Sequence, residues 1–86
     1  ERLVSRVLAG LYIAAAEALR FDDRETASRL LAQAADDLAN ASPLLADETQ
    51  AIVDTLPRMD ADDVRRAAGD CRMVAADIAE AARDES

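Results

Sequence analysis

Residues 22–43 read DDRETASRLLAQAADDLANASP, a complete helix lying between its own start signal and the next one. Asp22-Asp23-Arg24-Glu25 has the form of a capping box, in which Asp22 accepts first-turn backbone N–H groups and Glu25 reaches back three residues later. A helix therefore ends before this tetrad and another begins at it. Between the two signals Ala27, Leu31, Ala34, Leu38 and Ala41 recur at alternating spacings of four and three, which places them along one stripe of an α-helix. Ser42-Pro43 closes the stretch and opens the next helix, because Ser caps well and Pro loses nothing at the first helical position.

The same grammar extends in both directions. Toward the N-terminus, Val4, Leu8, Leu11, Ala15 and Ala18 form the stripe of a first helix. Toward the C-terminus, Asp47 and Glu48 sit near the positive end of a third helix whose stripe is Leu45, Thr49, Ile52 and Leu56. Pro57 stops it, and Asp60-Ala61-Asp62-Asp63 is an acidic start for a fourth helix carrying Val64, Ala68, Cys71, Ala75, Ile78 and Ala82. The pattern predicts helices over 2–21, 23–41, 43–56 and 60–84. Their joints are too short for anything but antiparallel returns, so the fold class is all-α, a small up-and-down bundle of four helices.

The chain has 86 residues, room for one thin core and a single domain over 1–86. It begins at Glu1, as a processed chain or an excised fragment does. Because Ala supplies so many seam positions, the helix axes approach toward the close end of the usual ~8 to 10 Å range, and each contact buries little area.

Composition removes whole classes of chemistry. There is no His and only one Cys, so imidazole or zinc metal sites and Ser/His or Cys/His nucleophilic machinery lack their parts. The lone Cys71 leaves no intrachain disulfide and falls on the inner stripe of the fourth helix, as a small buried apolar group in a reducing, cytoplasmic compartment. Asp60-Ala61-Asp62-Asp63 lacks the turn Gly and the twelfth-position Glu of a calcium loop, since Cys71 stands there. No Glu-x-x-His motif exists for a di-metal centre. The reading is a non-enzymatic protein with no cofactor and no metal.

A net charge of −8 repels phosphate backbones and anionic lipid surfaces, which excludes nucleic acid and membrane as partners. Val7 to Ala16 is an uncharged run behind Arg2 and Arg6, read as an amphipathic helix rather than a signal segment; Arg6 and Glu17 bracket it too closely for a membrane span.

The first helix departs from a single stripe. Leu3, Tyr12, Ile13 and Leu19 lie outside it and Val7 widens it, so this helix is apolar on more than one face. Such a helix either sits centrally or meets a second chain, and a bundle this small offers no central position. Leu3, Val7, Leu11, Tyr12, Ile13 and Leu19 are therefore expected at an interface with a second copy or another helical protein. On the fourth helix Asp63, Asp70, Asp77 and Asp84 recur every seven residues, as do Arg58, Arg65 and Arg72. Opposite charges thus flank the apolar seam, the arrangement that sets pairing and orientation in coiled coils. The competing explanation is a solvated face with local pairs such as Asp62 with Arg66, each worth only a few tenths of a kcal/mol.

The hairpin from Leu11 to Ala41 resembles a single tetratricopeptide unit, or the hairpin of microtubule-interacting-and-transport domains. Ala15 stands near the tight crossing, Asp22-Asp23 marks the turn, and Ala27, Leu31 and Ala34 fall on the inward face. Ala18 and Leu31 replace the usual bulky aromatics, and the third and fourth helices do not repeat the period. The resemblance implies a protein-binding scaffold rather than a reaction. The leading expectation is a self-associating interaction module. The alternative is a regulatory or ligand-sensing domain whose gap near Tyr12, Phe21 and Met73 accepts an apolar molecule.

Twelve Asp against six Glu, with Arg replacing Lys entirely, points to a high-GC genome or a salt-adapted proteome. Carboxylates hold water and counterions, and salt screens their repulsion. Thermal unfolding followed by circular dichroism should accordingly give a melting temperature that rises from low to molar KCl; a flat or falling response contradicts salt adaptation.

Overall fold

The computed structural model describes residues 2–84, and the surroundings of side chains 5–83. Its helices are α1 (Arg2–Arg20), α2 (Arg24–Leu38), α3 (Pro43–Thr55) and α4 (Ala61–Asp84), with a short 3-10 turn, Leu56–Arg58, between the last two. The bundle is all-α. Its boundaries fall within three residues of those predicted, and the differences have local causes.

Asp22 does not cap α2, because it closes α1 instead. It adopts a left-handed backbone with φ 57°, its N–H donates to Leu19 O at 3.0 Å, and Asp23 N–H donates to Ala18 O at 2.9 Å. This is the Schellman closure, and a short polar side chain tolerates the left-handed region that usually calls for Gly. The cap of α2 passes to Asp23, whose Oδ1 accepts from Thr26 N–H at 3.2 Å and whose carboxyl is held below its usual range by that bond. Pro43 occupies the first turn of α3, while Ser42 makes no side-chain cap bond. Asp60 caps α4 through Asp63 N–H at 2.8 Å. Ala41, expected on the inner stripe of α2, lies exposed in the turn beyond Leu38.

Packing places α1 in the middle. It contacts α4 and α2, α2 carries α3, and α3 and α4 approach each other only sparsely. The expectation that a small bundle has no central helix fails here, since α1 is covered from two sides. Its buried arc comprises Leu8, Ala9, Tyr12, Ala15, Ala16 and Leu19, rotated from the predicted stripe; Leu11 and Ala18 are only half-buried. The 24 residues of α4 span about 36 Å at 1.5 Å per residue and set the 39 Å long axis.

Small side chains let the axes close in. Ala15, Ala27 and Ala34 have no exposed surface, nor do Leu31 and Leu56. Thr49 is the one buried polar residue among those described, and its Oγ1 lies 2.5 Å from Tyr12 Oη, bridging α3 to α1. Arg24, at the start of α2, reaches across the corner and donates through one terminal nitrogen to Leu56 O at 2.8 Å and Met59 O at 2.7 Å, while its Nε pairs with Asp22. The Leu56 carbonyl also accepts the Met59 N–H at 3.2 Å, which closes the 3-10 turn, so Arg24 fastens the turn at both of its ends.

Leu31 is fully buried in the core, where its removal leaves a cavity. Leu31→Ala should lower unfolding free energy by about 2 to 5 kcal/mol in urea titrations, with an unchanged denaturant slope.

Candidate functional site

Two surfaces carry apolar side chains that the fold leaves in water. The first is the outer face of α1. Val7 is 53% and Ile13 57% exposed, with Gly10 and Ala14 exposed beside them and Arg6 and Glu17 at either end. Ile13 borders a cleft of about 370 Å³, in which Ser5, Ala9 and Gly10 of α1 face Ala79, Ala82 and Arg83 of α4. A Cβ built on Gly10 meets nothing within 4 Å, so this position is an open dent.

The expected interface set divides. Val7 and Ile13 are available to a partner. Tyr12 and Leu19 are not: they are 1% and 2% exposed and belong to the intrachain core, because α2 and α4 cover α1 from both sides and Thr49 takes the phenol. Leu11 is half-buried against that core. Leu3 and Asp84 lie outside the described side chains.

The second surface is the groove left where α3 and α4 stand apart. It encloses about 420 Å³ over Tyr12, Leu45, Ile52, Cys71 and Val74, with Met73 at its mouth and Glu48, Asp70 and Asp77 on its walls. An adjoining depression of about 300 Å³ shares Ile52 and Asp70 and continues to Arg58, Met59, Asp63 and Arg66. The acidic row Asp63, Asp70 and Asp77 therefore forms the α4 wall of this groove. Arg65 and Arg72 lie two heptads and one heptad before Ala79, on the other flank of α4, and Ala79 itself lines the α1 cleft. Arg58 belongs to the 3-10 turn and not to α4. Local pairs form at i,i+3, Arg65 with Asp62 and Arg66 with Asp63 at 3.9 Å, rather than the expected Asp62 with Arg66. These pairs are exposed and contribute little.

The gap expected near Tyr12, Phe21 and Met73 exists for two of the three. Phe21 is 73% exposed in the α1–α2 turn, where the Arg20 guanidinium stands 5.8 Å over its ring. A wider concavity of about 490 Å³ between α2 and α3 has only alanines among polar side chains and no large apolar group.

Tyr12 and Cys71 retain their protons. Burial pushes the Cys71 thiol up to about 11, with Asp70 adding to the effect. Tyr12 is raised above its usual 10.0 chiefly by burial, against the opposing bond to Thr49 and with smaller contributions from Cys71 and Glu48. A thiol held protonated is a poor nucleophile. Among the described residues no cluster of three or more acids or thiols is placed to hold a metal ion, and no helix is long and apolar enough to cross a membrane.

The Tyr12–Thr49 pair is the feature that stripe reading missed. Its signal was present, since a Thr on an otherwise apolar stripe and a Tyr off its own stripe each need a polar partner once buried. No family model matches the chain, and no curated protein or solved structure is significantly similar to it.

The unfolded chain releases the Cys71 and Tyr12 protons at lower pH than the folded one, so stability is full below pH 9 and falls as pH rises toward 11. Urea midpoints across that window should decline, and Cys71→Ala should make the decline shallower; equal slopes contradict a buried neutral thiol.

Proposed function

We propose that this chain is a non-enzymatic helical interaction module that pairs with a second copy of itself through the outer face of α1. The observation that carries this reading is the persistence of Val7 and Ile13 in water on a helix whose opposite face is fully buried. Burying the exposed half of one such side chain contributes roughly 0.8 to 1.5 kcal/mol, and a two-fold contact counts each of them twice.

The face is self-complementary in one register. An antiparallel pairing centred between positions 11 and 12 sets Gly10 against Ile13 of the partner subunit, a dent against a knob. The same register sets Arg6 against Glu17 of the partner subunit. Electrostatics favours this side of an acidic molecule. Arg6 and Arg83 line the cleft beside it, whereas the Asp63, Asp70 and Asp77 row faces the α3–α4 groove, so two copies meet without bringing their carboxylate rows together.

Light scattering after size exclusion should give twice the 9.2 kDa chain mass at high micromolar concentration, and Ile13→Glu should return it to a monomer of unchanged helix content. Arg6→Glu should weaken pairing about tenfold, and adding Glu17→Arg should restore it. A wild-type monomer contradicts self-association; a dimer indifferent to the charge swap contradicts only the register.

A further inference from the structure

The groove between α3 and α4 has a chemistry that α1 pairing does not use. Its floor is apolar, formed by Tyr12, Leu45, Ile52, Cys71 and Val74, and Met73 stands 65% exposed at its mouth. Its two walls are helices that scarcely touch, and the depression beyond Ile52 and Asp70 prolongs it along both of them. An open, elongated trough between two helices has the form that a third helix fills, laying apolar side chains at i, i+3 and i+4 along the floor.

Charge narrows the occupant. Glu48 stands on the α3 wall and Asp70 and Asp77 on the α4 wall, and no cation lines this section. Asp63, Asp70 and Asp77 repeat at about 10.5 Å, two helical turns, so cations seven residues apart on a docked helix keep step with them. Toward the 3-10 turn Arg58 and Arg66 balance Asp63 and Asp70, which concentrates the attraction at the Glu48–Asp77 end. The field reaches the floor, for Asp70 and Glu48 help to hold the protons on Cys71 and Tyr12.

We infer that the α3–α4 groove docks a basic amphipathic helix of another protein, its apolar ridge on the Tyr12–Val74 floor and its Arg or Lys rows against Glu48 on one wall and Asp70 and Asp77 on the other. A purely apolar molecule leaves those carboxylates without partners. A second copy is the poorer occupant, because its exposed α1 face carries Glu17 as well as Arg6, and a groove-to-face contact is heterologous and propagates into open chains. The site is independent of the α1 pairing.

The test uses a fluorescein-labelled 21-residue peptide with Leu on one helical ridge and Lys at heptad-spaced flanking positions, beside a control with Glu for every Lys. Anisotropy titration of the full chain should show saturable binding of the Lys peptide, weaker as KCl rises, and none of the Glu peptide. Met73→Arg, at an exposed position on the mouth, should weaken binding at least about tenfold, while Ala32→Arg, the same charge added to the exposed face of α2, should change it less than about twofold. Circular dichroism confirms that both variants fold, and amide shifts should concentrate in α3 and α4. The Ile13→Glu variant should bind the peptide as the wild type does. Equal losses in the two Arg variants, equal binding of both peptides, shifts on the outer face of α1, or no binding would each overturn the assignment. Saturation of the groove residues by dodecylamine with no competition from the peptide would give the groove to a small cationic amphiphile instead.

Discussion

The breadth of the apolar arc on α1 constrains the rest of the molecule. Leu8, Ala9, Tyr12, Ala15, Ala16 and Leu19 cover more of the helix than one packed neighbour can shelter. Helices α2 and α4 therefore take its two flanks, which leaves α3 riding on α2 and standing away from α4. Tyr12 turns this into a specific geometry. Its ring is large enough to cross the interior, and its hydroxyl finds in Thr49 the one buried polar side chain described. A buried phenol without that partner would lose its hydrogen bond to water and gain none.

Alanine is the condition for this arrangement and also its weakness. Ala15, Ala27 and Ala34 allow close approach of the axes, but each buries little surface. The corners must then be held by polar contacts. Arg24 gathers the Leu56 and Met59 carbonyls together with Asp22, tying the start of α2 to the junction of α3 and α4. No buried side-chain nitrogen or oxygen among the described residues lacks a hydrogen-bond partner.

The charge pattern of α4 acquires direction only through its neighbours. A heptad row of Asp and one of Arg flank the same seam, and as isolated features they amount to a solvated surface. With α3 on one side and α1 on the other, the acidic row becomes the wall of an apolar groove, while Arg65 and Arg72 keep to the opposite flank of α4 and Arg83 lines the cleft beside Ile13. One acidic chain thus presents two surfaces of different character.

Helix number, approximate limits, antiparallel order and most of the core were legible in the sequence. Those features rest on local chemistry: caps, Pro positions, short joints, and stripes such as Ala27, Leu31, Ala34 and Leu38. Which of the two aspartates closes α1 and which caps α2 depended on the left-handed turn at Asp22, a choice between two local satisfactions of the same backbone groups. The off-stripe residues of α1 were undetermined, because periodicity states that a side chain points away from one seam and not whether another helix waits there. Tyr12 and Leu19 went inward and Val7 and Ile13 stayed out only once α2 and α4 had taken their places. That division, like the groove between α3 and α4, is set by long-range packing, in which each helix competes for a limited apolar surface that no local pattern of residues apportions.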